Sequence, residues 1–318
     1  MRILVTGANG IYGANMSKKL LNEGYEVVSI MHDRCPFAAA SLLNIESSIS
    51  WAHGDVLDYN FLTRVIADYE IDTIYHFAAM PIVKRCPDAP LPVYLTNVIG
   101  TCNILEAAKR RDCKVLYMST DKVYGYAGEK PYEEDFPLMG LGVYDSSKAS
   151  ADLITRAYHY TYGLRTIVAR SCNIFGPGDL NWRIIPNTIR RCLLKKPPVI
   201  FRGIEHTREY IFVDDAVDAL MFLMKHIDKT CGQAFNVGSG ESISDEETIR
   251  RIVSFFPSIT PEIREPLPHM CKEIPYQRLS CSKIRKLGWK SKTDFDTGLE
   301  KTIDWYREHK DILPPPLL

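Results

Sequence analysis

Over its first 120 residues the chain alternates between short apolar runs and longer segments with helical apolar spacing. RILVTG (2–7), YEVVSIM (25–31), DTIYHFAA (72–79) and KVLYMS (114–119) read as strands. NMSKKLLNEG (15–24), FLTRVIADY (61–69) and TNVIGTCNILEAAKRR (96–111) read as helices, the first ending at Gly24. Strands separated by helices connect through right-handed crossovers, so the expected fold is α/β with a doubly wound parallel sheet. After about residue 170 the alternation loosens, and Pro- and Gly-containing stretches (FGPGD, KKPP, FFPSITPEIREPLP) break shorter elements. A smaller C-terminal α/β lobe is therefore expected. The expected boundaries are 1–170 for the first domain and 171–208 with 231–318 for the lobe. Residues 209–230 should pack back on the sheet through the apolar face of VDDAVDALMFLMKHI. No internal repeat is present, and the tail ILPPPLL reads as a frayed end.

With 318 residues, 46% of them hydrophobic, the chain can build one large domain or two joined lobes. Its 39 acidic and 39 basic residues balance, which argues against a nucleic-acid or anionic-membrane footprint. Nine cysteines, an odd number without CxxC spacing, suit a reducing compartment better than a disulfide framework or a zinc site. Each reads as a small buried apolar residue, and no metal site is expected. The N-terminus opens directly on a strand, without a basic segment and apolar core of the secretory kind. No later apolar stretch approaches bilayer length, so the expected location is cytoplasmic, with no membrane partner.

GANGIYG places Gly7, Gly10 and Gly13 between the first strand and the first helix. Glycines there allow a tight turn and close approach of backbone to a pyrophosphate, which then faces the positive end of the helix. The strand–turn–helix context makes this a dinucleotide site and the first domain a Rossmann-type domain binding NAD or NADP. Its spacing is GxxGxxG rather than GxGxxG. Asn9, Ile11 and Tyr12 lie in the same turn and join the expected cofactor set. The second strand runs out at Met31, followed by His32, Asp33 and Arg34. An acid at this point binds the ribose hydroxyls of NAD, whereas a base can hold the 2′-phosphate of NADP. His32 and Arg34 tilt the expectation slightly towards NADP, while Asp33 keeps the ribose alternative open.

YDSSK runs from Tyr144 to Lys148. On a helix the two stand one turn apart on one face, about 6 Å along the axis. A lysine cation there stabilises a tyrosinate, which can take the proton of an alcohol whose carbon gives up hydride. About twenty residues upstream, STDKVYG (119–125) sets Asp121 directly against Lys122 where a strand should end, the end at which parallel sheets bind ligands. Were the two merely a loop ion pair, they would count for little.

Carrying GANGIYG, STDKVYG and YDSSK together, the chain resembles extended short-chain dehydrogenases/reductases of the nucleotide-sugar epimerase/dehydratase family over nearly its whole length. Further segments agree with the resemblance. GDV (54–56) is similar to the segment that touches adenine, through Asp55 and Val56, and HFAAM (76–80) to the one lining the pyrophosphate and nicotinamide ribose, through Ala78 and Ala79. NIFGPGD (173–179) resembles the NxYGPG loop, whose Asn, here Asn173, contacts the substrate diphosphate. REYIFVDD (208–215) resembles the RDxxxVxD segment, whose Arg, here Arg208, binds the same diphosphate. FNVGSGESIS and LGW (287–289) match later landmarks. Lys84, Arg183 in NWRIIP, and Arg278 in the segment before LGW complete the expected substrate set.

Within the family, simple 4-epimerases resemble SSxxVYG at the first of these loops, and thymidine-type 4,6-dehydratases have Thr-Asp-Glu. STDK resembles the Asp-Lys version found in CDP-glucose 4,6-dehydratases and inverting UDP-N-acetylglucosamine dehydratases. The longer run through YDSSKASADLI to FGPGDLNWRIIP looks closest to CDP-glucose and GDP-mannose type dehydratases. The resemblance implies conversion of a nucleotide-diphosphate hexose to its 4-keto-6-deoxy product. Tyr144, activated by Lys148, takes the 4-hydroxyl proton as C4 gives up hydride, and Thr120 holds that oxygen. A base then removes the C5 proton, Asp121 protonates the departing 6-hydroxyl, and the hydride returns to C6. Lys122 is the C5 base if it is deprotonated, and otherwise tunes Asp121 and binds substrate. A 4- or 2-epimerase is the second expectation, and a non-catalytic cofactor-binding protein the third. A homodimer is implied, through a four-helix bundle using ILEAAKR and SSKASADLITRAYHY.

Overall fold

A computed structural model describes every residue except 1, 34, 36, 82–87, 127, 182, 267–273 and 314–318. The described residues form twelve strands: β1 (Arg2–Thr6), β2 (Glu26–Met31), β3 (Ser50–His53), β4 (Ile71–His76), β5 (Lys114–Thr120), β6 (Thr166–Ser171), β7 (Asn173–Phe175), β8 (Val199–Phe201), β9 (Thr207–Phe212), β10 (Ala234–Val237), β11 (Ser242–Ser244) and β12 (Glu262–Arg264). Seven of them make one parallel sheet in the order β10-β6-β5-β4-β1-β2-β3. The strand runs are almost continuously apolar because both faces of the sheet are covered. Ile3 and Val5 pack in a layer with the helices Ile11–Asn22 and Val213–Lys225. Leu4, between them, packs with the helices Tyr59–Asp68 and Gly100–Lys109 on the opposite face. The strand order reverses between β1 and β4, which opens a crevice at their carboxyl ends, where such sheets take their ligands.

The later part of the chain builds two small sheets, β11-β9-β7 and β12-β8, with the helices Ile184–Leu193, Asp245–Ser254 and Phe295–Glu308. The helix Val213–Lys225 packs back on β5, β6 and the helix Ile11–Asn22. Two readings of the sequence need correction. Residues 234–237 were expected in the C-terminal lobe but form the β10 edge of the central sheet, paired in parallel with β6. β3, absent from the strands read in the sequence, pairs with β2; its run SWAH has one buried residue and too little apolar pattern to stand out.

The segment 96–111 also departs from a uniform helix. Leu95–Ile99 forms a π-helical stretch before the α-helix Gly100–Lys109. The wider turn sends Asn97 inward, where its amide accepts the Met80 N–H at 2.8 Å and donates to Ser147 Oγ at 2.9 Å. Such widened turns recur at functional sites. Of the described cysteines, Cys113, Cys172, Cys192 and Cys281 are buried as expected, but Cys35 is exposed and Cys102 and Cys231 are half-buried. Among the described residues no helix is long and apolar enough to cross a membrane.

Candidate active site

The glycine-rich turn is shaped by steric necessity at two points. Gly7 has φ of 75°, and a Cβ there would lie 2.8 Å from Ala78 N. A Cβ on Gly13 would lie 2.3 Å from Gly7 O. The turn is thereby wedged against the end of β4, where Thr6 Oγ1 accepts the N–H groups of Phe77 and Ala78, each at 3.1 Å. Gly10 N donates to Gly7 O at 3.0 Å and caps the helix Ile11–Asn22 without any side-chain acceptor. The first N–H groups of that helix are therefore unspent, and the helix dipole adds to their pull on an anion. A Cβ on Gly10 would meet nothing nearer than Gly7 O at 3.5 Å, so the approach is open. A dinucleotide pyrophosphate fits this cradle. Ala79 follows Ala78 into the crevice, half-buried, and Asn9 is tied in by its carbonyl, which accepts from Ala39 N at 3.0 Å.

Beyond β2, His32 sits between two carboxylates: Nδ1 lies 2.6 Å from Asp33 Oδ2 and Nε2 lies 3.0 Å from Asp55 Oδ2. The hydrogen bond to Asp33, with Asp55 adding, pushes the imidazole above its ordinary pKa. Val56 is buried beneath this group, and Asp55 also accepts the Leu57 N–H at 2.9 Å. Arg34 and Lys84 lie outside the described residues. Tyr12 stacks on Phe77, with ring centroids 5.6 Å apart, and its hydroxyl bonds Ser171 Oγ at the end of β6.

β5 delivers the reactive turn. Thr120 ends the strand, and Asp121–Tyr124 follow as a single 3-10 turn. Thr120 Oγ1 accepts the Lys122 N–H at 3.4 Å and donates to Asp121 Oδ1 at 3.0 Å. Asp121 is 2% exposed, and its Oδ2 has no partner among the described residues. Lys122 turns the other way, donating from Nζ to Gln277 Oε1 at 3.3 Å. Because a 3-10 turn rotates by about 120° per residue, the two neighbours diverge. No ion pair within 4.0 Å joins them, and that possibility is corrected here.

The helix Val143–Tyr162 brings Tyr144 and Lys148 to this turn. Lys148 is 4% exposed; its Nζ donates to Met118 O on β5 and lies 4.3 Å from the centre of the Tyr117 ring. Burial pulls the ammonium down to about 7, against the opposing charge of Asp152 one turn on. Asp152 is itself held by Arg170, Nε at 2.9 Å and Nη2 at 3.1 Å, in a fully buried two-point pair. His76, nearby, bonds Thr6 and Thr101 through its two ring nitrogens and is driven down to about 3 by burial, with Lys148 adding. It is neutral and structural.

The residues expected to hold the substrate come mostly from the later part of the chain. Asn173 begins β7 and donates to Glu209 O at 3.3 Å, and Arg208, buried on β9, donates to Thr207 O at 2.9 Å. Arg183 caps the helix Ile184–Leu193 and acts electrostatically on both Tyr12 and Asp179. Arg278 holds the Tyr132 N–H with its carbonyl at 2.8 Å, while its buried Nε has no acceptor among the described residues. Burial raises the pKa of Tyr12, Cys172 and Glu209, and the charge of Asp121 adds to each, so the turn, the glycine-rich cradle and β9 lie close to one another.

Four residues of the site were not singled out in the sequence. Glu209, fully buried, accepts Gly240 N at 2.7 Å and Leu279 N at 2.5 Å; burial pushes it up to about 7 against those two donors. The visible signal was a charged residue within the otherwise apolar strand EYIF. Asp152 lies within YDSSKASADLI but was not singled out there, and Arg170 and Gln277 belong to none of the quoted motifs.

The model of the family described as NAD dependent epimerase/dehydratase matches residues 3–238. The low-salt glycan biosynthesis protein Agl12 of Haloferax volcanii is 31% identical over 312 residues, covering 96% of this chain and 98% of its own. The dTDP-glucose 4,6-dehydratase of Mycobacterium tuberculosis is 30% identical, covering 99% and 96%. The crystal structure of dTDP-glucose 4,6-dehydratase from Bacillus anthracis in complex with NAD superposes with a TM-score of 0.87 at 27% identity, over 98% of each chain. A matching family model over most of the chain, two full-length relatives at this identity and the cradle built at the β1–β4 crevice lead to one conclusion: this chain belongs to the NAD dependent epimerase/dehydratase family.

Proposed function

We propose that the chain is an NAD-dependent nucleotide-sugar 4,6-dehydratase. The observation that carries this reading is the split between Asp121 and Lys122. A buried carboxyl oxygen without a partner among the described residues stands beside Thr120, and a separate lysine is directed to Gln277. An enzyme that only oxidises and re-reduces C4 needs neither. Bound in the cradle, the nicotinamide supplies the acceptor for the C4 hydride and its later return to C6. Tyr144 takes the proton of the 4-hydroxyl, and the Lys148 cation one turn away stabilises the resulting phenolate. Thr120 Oγ1 steadies the C4 oxygen. Once C4 is a ketone the C5 proton is acidic; Lys122 removes it as a neutral amine, and Asp121 delivers a proton from Oδ2 to the departing 6-hydroxyl. Asn173, Arg208, Arg183 and Arg278 hold the diphosphate.

The cofactor is NAD rather than NADP, against the slight tilt taken from His32 and Arg34. His32 is engaged by Asp33 and Asp55, and two carboxylates at this edge favour ribose hydroxyl donors over a 2′-phosphate. The exposed apolar side chains of Leu91, Tyr94, Ile99, Leu153 and Tyr160 on two adjacent helical stretches support a homodimer. Light scattering should give twice the chain mass, falling to one chain in Leu153→Glu.

The activity test incubates the protein and NAD with dTDP-, CDP-, UDP- and GDP-hexoses and follows product mass. dTDP-glucose leads the panel because the Mycobacterium tuberculosis and Bacillus anthracis relatives are dTDP-glucose 4,6-dehydratases, and CDP-glucose follows because Lys122 departs from Thr-Asp-Glu. Loss of one water from one substrate is the expected result. A product of unchanged mass with altered stereochemistry would make the protein an epimerase.

A further inference from the structure

Gln277 lies in an irregular segment 155 residues from Lys122, yet it is fully buried and its Oε1 is the described acceptor for Lys122 Nζ. An ammonium has donors only, so it fixes the amide orientation, with the carbonyl towards Lys122. Nε2 is left buried and unpartnered among the described residues. The segment around Gln277 is pinned by main-chain bonds on both sides. Pro275 O accepts from Thr207 N at 2.9 Å, and Tyr276 O accepts from the Tyr132 hydroxyl at 2.9 Å. Arg278 O accepts from Tyr132 N, and Leu279 N donates to the Glu209 carboxylate. A buried glutamine held this firmly does not depend on Lys122 for its own placement; Lys122 depends on it.

We propose that Gln277 is the positioning residue for Lys122, holding its Nζ away from Asp121 so that the lysine faces C5 of the sugar while Asp121 serves O6. This rests on the reading of Lys122 as the C5 base. The choice of a neutral amide matters. A carboxylate at 277 would orient Lys122 equally well but would stabilise the ammonium and so withdraw it as a base. The described carboxyl that feels the charge of Lys122 is Asp145 on the helix Val143–Tyr162, which burial pushes up and Lys122 draws down in part.

The test compares wild type with Gln277→Glu and Gln277→Leu on the substrate that the panel identifies. Three signals are read: reduced cofactor formed in a single turnover (C4 oxidation), exchange of the C5 proton with solvent deuterium, and dehydrated product. In Gln277→Glu, C4 oxidation should match wild type while C5 exchange and dehydration fall about ten- to a thousandfold near neutral pH. Both should recover as the pH rises, with the alkaline-rising limb displaced by about one to three pH units. Gln277→Leu should lose C5 exchange without displacing that limb, at nearly unchanged KM. In a Lys122→Met background Gln277→Glu should add nothing further. A Gln277→Glu enzyme with wild-type exchange and pH profile overturns the proposal alone, as does one that loses C4 oxidation in equal measure. A wild type that releases product of unchanged mass overturns the dehydratase reading and the proposal with it.

Discussion

Replacing Lys148 by Met should change how the stability of the cofactor-free protein depends on pH. Lys148 is buried, and its burial lowers it from the ordinary 10.5 to about 7. Above about pH 7 the folded protein has released this proton, whereas the unfolded chain retains it to about 10.5. Unfolding in that window takes up a proton, so stability rises with pH. The contribution is fully present above 10.5 and is lost as pH falls towards 7, at about 1.4 kcal/mol per pH unit. Half of the residue is still protonated at 7, so the rise between about pH 7 and about pH 9 is about 2 kcal/mol. Urea unfolding of wild type and Lys148→Met at both pH values isolates this residue, because every other group titrates alike in the two proteins. The gap between them should move by about 2 kcal/mol in favour of wild type at the higher pH. Parallel stability curves would refute the burial account of Lys148. The same substitution should abolish C4 oxidation at and below about pH 7, where Lys148 still supplies a cation to Tyr144.

Arg170→Met leaves Asp152 buried and uncompensated one turn from Lys148, and should cost about 3–5 kcal/mol in chemical denaturation. Pairing it with Asp152→Leu should recover much of that loss, and failure to do so would mean that the hydrogen bonds of Arg170 to Tyr124 and Glu134 dominate. Gly13→Ala puts a methyl group 2.3 Å from Gly7 O, so calorimetry should show NAD binding weakened at least tenfold, by about 1.4 kcal/mol or more, in a protein that still folds. Glu209→Gln turns one of two acceptors into a donor facing a backbone N–H and should cost about 1–3 kcal/mol in thermal or chemical unfolding. It should also remove a stability term that is present below the ordinary carboxylate range and lost as pH rises through about 7.

β1, β2, β4 and β5 were readable because a parallel strand covered on both faces must be apolar nearly throughout, and RILVT, EVVSIM, IDTIYH and KVLYMST are. Gly7 and Gly13 were readable because the turn tolerates almost nothing else there, Gly10 because it leaves the approach to the helix end open, and Tyr144 with Lys148 because helical spacing puts them on one face. β3 and β10 were not readable: each has four residues, and β10 reaches β6 from more than sixty positions later in the chain. Pairing of that kind is decided by tertiary packing after a long excursion, which leaves no local trace.

The neighbouring acid and base at 121 and 122 show why a motif can point to a reaction without giving its geometry. Paired with each other, Asp121 and Lys122 would be neutralised, and neither could exchange a proton with the sugar. The 3-10 turn separates their directions, but separation alone leaves a long, flexible lysine free to swing back. A partner must hold it, and that partner cannot be acidic without keeping the lysine charged. Gln277 meets both conditions, and its segment is tied by Glu209 to β9, which also carries Arg208. On the roles proposed for them, Arg208 holding the diphosphate and Lys122 aimed at C5 are mechanically linked through one strand. Loosening Glu209 should then impair C5 proton removal more than C4 oxidation, since Tyr144 and Lys148 stand on a helix that Glu209 does not touch. Equal loss of both steps in Glu209→Gln would break that link.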